Sequence, residues 1–271
     1  MARLNSSFSP YSTPSFVCKV LAFIALYFPV LLVADERVAL VIGCNDYEHT
    51  VKLSNARADA EAIAKTLKTI DFDVVSVVEP GIAEFYEALE LFKQKATKAR
   101  VGLFYFAGHG IEVDTKNYLI PVDATLDSAG QLRAQAISID TILADMKETK
   151  LPAKMLILDC CRNNPLSRSW ITTRSTGIGL AKVSDQQLPP STMLMFAAAP
   201  GQPAFDGQGA NSPFTSALVK NLAKPGTSAL DAFFAVSDSV AAETAEQQVP
   251  WIKFDGGGRT FRLFSFSGEV E

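Results

Sequence analysis

The stretch Val101–Gly110 reads VGLFYFAGHG, and a second one, Lys154–Pro165, reads KMLILDCCRNNP. Each begins as a short continuous apolar run, the mark of a strand buried on both faces. Each ends abruptly in residues unsuited to a core: Gly108-His109-Gly110 in the first, Cys160-Cys161 and a polar segment in the second. Working outward, strands and helices alternate. Val38–Gly43 (VALVIG) is a third apolar strand, and Phe72–Val78 a fourth. Between them, Ala56, Ala60, Ile63, Ala64, Leu67 and Ile70 recur at spacings of three and four, predicting a helix over Ala56–Thr69. Phe85, Leu89, Phe92 and Ala96 mark a second helix by the same spacing.

Further on, Tyr118–Val122 is expected as a short strand or hairpin arm, and a helix spans about Asp140 to Glu148. Thr192–Ala198 is another core strand, and Phe261–Phe264 is expected as the last. Ser212-Pro213 is a good helix start, with Ser as cap and Pro in the first position, and that helix should run to about Leu222. Ser228, with Asp231 three residues on, opens another to about Thr244. The alternation predicts an α/β fold: a three-layer α-β-α sandwich around a mostly parallel sheet. In such sheets ligands bind beyond the carboxyl ends of the strands, where His109 and Cys160-Cys161 stand.

Composition narrows the function. The 271 residues are 48% hydrophobic and 20% charged, which excludes wholesale disorder. A net charge of −4 with no basic stripe argues against nucleic acid as a partner. Four cysteines without CxxC spacing and two histidines, His49 and His109, suggest neither a zinc site nor a disulfide framework, so no metal site is assigned. Residues 1–34 carry no acid and contain the apolar run Val20–Ala34, shorter than the roughly 20 residues of a spanning helix. They are expected to be a signal peptide cleaved after Ala34, the alternative being a membrane anchor over residues 16–34. The protein is then exported, periplasmic or secreted, or else membrane-anchored, and any membrane contact runs through this segment.

His109 between two glycines has an uncovered imidazole. Cys161 at a strand end beside Arg162 has an environment that favours the thiolate. Together a cysteine and a histidine on adjacent strand ends are the minimal apparatus for covalent acyl transfer. Cys161 stands 52 residues after His109, and caspases place their histidine about 50 residues before the nucleophile.

The chain resembles the caspase-like cysteine peptidases of clan CD (peptidase C14), with the bacterial metacaspase-like, or orthocaspase, group as its nearest likeness. Four stretches carry this: RVALVIGCNDY (37–47), LFYFAGHG (103–110), LILDCCRNNP (156–165) and AAPGQPAFDGQGANSPFT (198–215). The resemblance implies a caspase-like fold, a p20-like part over 37–165, an intervening loop 166–190 and a p10-like part over 191–266. It implies His109 and Cys161 as the dyad, and Gly110 with the Cys161 amide as the oxyanion hole. Cys160 departs from the Ala or Ser usual before the nucleophile. Asp159 and Asp206 are the expected substrate-binding carboxylates, giving cleavage after Arg or Lys of protein or peptide substrates. Arg168, Arg174 and Lys182 are candidate self-cleavage points in an otherwise plain exposed loop. No cofactor is implied; calcium dependence occurs in some metacaspases, but no EF-hand-type acidic loop is present.

Two rival readings remain: a catalytically weak caspase-like interaction module, and a thiol redox protein using Cys160-Cys161 without the usual spacing of a resolving thiol. Gly256–Gly258 is expected as a hairpin turn, His49 as a surface loop residue, and Asp59 as a residue that orients a neighbouring loop. The sequence leaves the oligomeric state open.

Overall fold

Arg37–Gly43 forms β1, the apolar run expected from its sequence, and only Arg37 at its start is not fully buried. The structure is a computed structural model that describes residues 36–161, 180, 183–184, 187–199, 202, 204–255, 259–263 and 265–266, with the backbone alone described at Cys161, Arg259 and Leu263. The proposed leader, Arg168, Arg174, Lys182 and Gly256–Gly258 lie outside these residues.

In chain order the remaining elements are α1 (Ala56–Thr69), β2 (Phe72–Val78), α2 (Ile82–Ala96), β3 (Val101–Val113), β4 (Lys116–Leu119) and α3 (Ala129–Gln135). They continue as β5 (Ile137–Ser138), α4 (Ile139–Glu148), β6 (Ala153–Cys161), β7 (Thr192–Phe196), α5 (Pro213–Leu222), α6 (Ala229–Glu243), β8 (Trp251–Phe254) and α7 (Arg259–Leu263). The sheet order is β2-β1-β3-β6-β7-β8. All neighbours pair in parallel except β7 and β8.

Helices cover both faces. Phe104 and Phe106 of β3 pack with Phe85, Leu89 and Phe92 of α2 and with Ile142 and Met146 of α4. Leu103, Tyr105 and Ala107, on the opposite face, pack with Ile63 and Leu67 of α1, Phe214 of α5 and Phe233 of α6. The three-layer α-β-α sandwich expected from the alternation is therefore present.

Three expectations are corrected. Residues 259–263 form the short helix α7 and not a strand, and Phe264 lies outside the described residues. Such a short apolar run does not separate helix from strand by its pattern alone. The last strand is β8, antiparallel to β7, and all four of its residues are half-buried, as befits a sheet edge. The arm expected over Tyr118–Val122 is shifted to Lys116–Leu119, where it pairs antiparallel with the end of β3.

The strand β3 also outruns its apolar stretch. It pairs with β6 as far as His109 and with β4 from Gly110 onward. Ile111 and Val113 share a core layer with Phe104 and Phe106, so the in-out alternation slips by one as β3 leaves the central sheet. His109 sits at that change of partner.

Candidate active site

His109 and Cys161 are Cα partners in the parallel register of β3 and β6. The two residues singled out by the sequence thus stand side by side at the carboxyl end of the central strands. The imidazole expected to be uncovered between its glycines is instead buried, because Tyr47 and Phe106 close over Gly108: His109 is 3% exposed, and burial lowers its pKa below the ordinary imidazole value, although the Val51 carbonyl and Asp206 push the other way. Burial thus favours the neutral ring.

Its orientation is fixed by the loop after β1. Nε2 lies 2.7 Å from the Val51 carbonyl oxygen. A carbonyl can only accept, so Nε2 carries the proton and Nδ1 presents the lone pair. Nδ1 is buried and has no hydrogen-bond partner among the described residues. The His109 amide donates to the Tyr47 hydroxyl at 2.7 Å, and the two rings are in tilted contact, with centroids 4.5 Å apart and planes at 44°. Burial, and then the Cys44 thiol beside it, hold the Tyr47 phenol well above its usual pKa, so it keeps its proton.

The flanking glycines are required for space. A Cβ on Gly108 would lie 2.7 Å from the Tyr47 hydroxyl and from Phe106 Cζ. A Cβ on Gly110 would lie 2.9 Å from Cys160 Cβ. Cys160 is fully buried in the core layer of Phe104 and Phe106, so it is a packing residue. Ile120 N donates to His109 O at 3.0 Å, which makes Gly110 and Leu119 a non-hydrogen-bonded pair of the β3–β4 ladder. The Gly110 N–H accordingly points away from β4, to the side on which β6 ends.

Carboxylates gather on the other face. Asp159 continues the alternation of Met155 and Ile157, and its Oδ2 accepts from Ser212 Oγ at 2.6 Å and Thr215 Oγ1 at 2.9 Å. Thr215 spends its only proton there, so the Tyr105 hydroxyl 2.6 Å away donates to it. Asp59, in the first turn of α1, accepts on Oδ1 from Asn211 Nδ2 and from Ser212 N, both at 2.9 Å. Ser212 caps α5 through the Thr215 amide and so joins both carboxylates to one helix start. Burial, then the charge of Asp159, pushes the Asp59 pKa up to about 8. Asp206 is exposed, receives Asn55 Nδ2 on its backbone oxygen, and its charge is felt by both Asp59 and His109.

Asp59, expected only to orient a loop, is thus a member of the acid cluster. Its signal in the sequence was an acid in the first turn of the helix that comes next in the chain after a core strand. Tyr47 and Val51 had no comparable signal, since Val51 acts through its backbone. His49 is exposed in its loop, as expected. Among the described residues no group of three or more His, Cys, Asp or Glu side chains is placed to hold a metal ion.

Residues 36–260 match the family described as the caspase domain. The chain belongs to that family. It is a caspase-like domain of the clan CD peptidases. Over 129 residues it is 31% identical to the human mucosa-associated lymphoid tissue lymphoma translocation protein 1, a stretch that covers 48% of this chain and 15% of the relative. The mouse homolog matches to the same extent. The chain therefore corresponds to a small part of those proteins. Among solved structures, the Drosophila initiator caspase Dronc superposes with a TM-score of 0.59 and 13% identity, over 87% of this chain and 82% of Dronc. Caspase-1 from Spodoptera frugiperda gives 0.57 and 18%, over 87% and 91% of the two chains. At such identities the likeness is one of fold, and the fold is the caspase fold.

Proposed function

We propose that this caspase domain is a cysteine endopeptidase that cleaves after Arg or Lys with Cys161 as nucleophile and His109 as base. The observation that carries the reading is the pairing of the two positions in register, with the His109 lone pair on Nδ1, which has no partner among the described residues. Nδ1 takes the Cys161 thiol proton, and the thiolate sulfur attacks the scissile carbonyl carbon. The oxyanion is met by the N–H groups of Gly110 and Cys161, where loss of one such donor costs about 2.7–4 kcal/mol. The imidazolium then protonates the leaving amine. A water, deprotonated by the same ring, releases the acyl group and restores the thiol.

Asp159 and Asp206 supply the negative charge for a guanidinium or ammonium group of the substrate, with the protonated Asp59 beside them. The charges of Asp159 and, more weakly, Asp206 already favour the protonated form of Asp59, and the same field favours a basic residue over an acidic one. The same reading keeps residues 1–34 as an export leader or anchor.

The test is turnover of fluorogenic peptides ending in Arg, Lys or Asp by the full chain, with reductant, with and without calcium. Turnover after Arg and Lys that falls at least about 10³-fold in Cys161→Ala and in His109→Ala supports the reading. No turnover, with Cys161 inert to an alkylating peptide probe, leaves an interaction module. Cleavage only after Asp would overturn the assignment of the acid cluster.

A further inference from the structure

Glu79 occupies a position that local rules would give to another residue. It stands just past the end of β2 with φ +55°, in the left-handed region that favours Gly or Asn. Its Oε1 is buried with no hydrogen-bond partner among the described residues, a second local cost. What the side chain does gain lies on its other oxygen. Oε2 accepts from the Asn45 and Asp46 amides, each at 2.9 Å. Unfavourable local choices held in place by their surroundings are a mark of function when a particular contact depends on them.

The two amides begin the loop that holds His109. Tyr47, whose hydroxyl takes the His109 amide proton, follows Asp46 directly, and Val51, whose carbonyl takes the Nε2 proton, lies four residues beyond that. Glu79 is itself tied to the same sheet end, because its N–H donates to Gly43 O at 2.8 Å. Other ties act elsewhere on the loop. Glu48 N donates to Val122 O, and the Asn45 side chain reaches Ser54 O and the Arg57 amide at the start of α1. The segment entering Tyr47 is gripped by Glu79.

We propose that Glu79 is a positioning residue for His109: by binding the Asn45 and Asp46 amides it sets the loop so that the Val51 carbonyl keeps the ring proton on Nε2 and the lone pair on Nδ1. The inference rests on the reading of His109 as the catalytic base, but its structural half is measurable without any turnover.

The chain has two histidines, so ¹⁵N-histidine labelling of the full chain gives two imidazoles, and His49→Asn assigns them. In the wild type, His109 is expected as a single tautomer protonated on Nε2. In Glu79→Gly the tautomers are expected to mix, and kcat for Arg peptides to fall about 10- to 100-fold, the scale of a misplacement of about 1 Å. KM should stay within about twofold, since nothing in the acid cluster is touched. The melting temperature should not fall, because Gly relieves the left-handed backbone and removes the orphaned oxygen. Glu79→Gln keeps an oxygen for both amides and is expected to retain the single tautomer and most of kcat.

A Glu79→Gly protein with an unchanged tautomer and kcat overturns the proposal. So does a Gln variant that fails as badly as Gly, because the carboxyl is then needed for something other than this grip. Should the Gly variant not fold, Glu79→Asp, one methylene shorter, gives the same two readouts with the same consequences. A wild type without turnover whose tautomer nevertheless mixes in the variant would end the peptidase reading and leave the positioning role standing.

Discussion

His109 is flanked by two polar networks of opposite character. On the β1–β2 side it is touched by neutral groups: a phenol hydroxyl, a backbone carbonyl and the tilted ring of Tyr47. On the α1–α5 side Asp59 and Asp159 are 3% and 7% exposed and share the donors of a single helix start. Neutral groups touch the ring directly here, and the one carboxylate on this side, Glu79, acts at a remove through the Asn45 and Asp46 amides. Buried like charges behave differently, since their proton count shifts with their surroundings and they attract a cation strongly once one comes near. The contrast suggests a division of labour, in which one network sets where the base points and the other sets what is bound.

Three changes test that division. Asp159→Asn keeps an oxygen for Ser212 and Thr215 while removing one charge. It is expected to lower kcat/KM for Arg and Lys peptides about 100-fold, mostly through KM, because removing one member of a buried charge pair costs about 2–5 kcal/mol. Steady-state kinetics with matched peptides checks this, and a loss carried by kcat with KM unchanged would merge the two networks. Tyr47→Phe leaves the His109 N–H without its acceptor and should lower kcat about tenfold with unchanged preference for basic residues. A changed preference in that variant would break the comparison from the other side.

The smallest effect concerns stability. The Asp59 carboxyl, at about 8 in the folded protein against 3.8 ordinarily, keeps its proton where the unfolded chain has lost it. Stability is therefore fully present below about pH 4, falls as the pH rises through the interval and levels off above about pH 8. Asp59→Asn retains both acceptor bonds and removes this dependence. Its melting temperature should match the wild type near pH 4 and exceed it above pH 8, by about 2–4 °C for each kcal/mol recovered. Thermal scans at several pH values decide it, and an equal offset at all pH values would mean that Asp59 does not take up a proton on folding.

The sequence carried most of this architecture. The bounds expected for α1 and β2 are those observed, and α5 begins behind the Ser212 cap as its Ser-Pro signal requires. These elements have strong periods or explicit start signals. The misreadings fall where neither exists. Phe261–Phe264 is too short for its apolar run to choose a conformation, and β8 is a half-buried edge without the alternation of a one-faced strand. The short helix α3 follows a Ser128 cap and buries only Leu132, so it left almost no apolar pattern to find. At the site, the sequence singled out His109, Cys161 and Asp159 by residue type and position, and the structure gathers them at the ends of β3 and β6. Tyr47, Val51 and Glu79 act through a hydroxyl, a carbonyl and two amides on a folded loop, and such roles appear only when the loop closes on its neighbour.

The pairing of β6 with β7 has a further consequence. Lys154–Leu158 lies alongside Thr192–Phe196 in the middle of the sheet, and the buried Lys154 ammonium donates to the Leu151 and Pro190 carbonyls at the strands' starting ends. These contacts join the two halves of the domain laterally, without reference to the peptide chain that connects them. A domain joined in this way invites division into two separately expressed pieces, one ending after β6 and one beginning before β7. Apart, each piece bares an apolar strand edge, and together they restore a shared surface that includes the acid cluster. The halves of this fold are thus natural components for a complementation reporter, whose signal would be the completion of a site that the first piece holds only in part, without Asp206, Ser212 and Thr215.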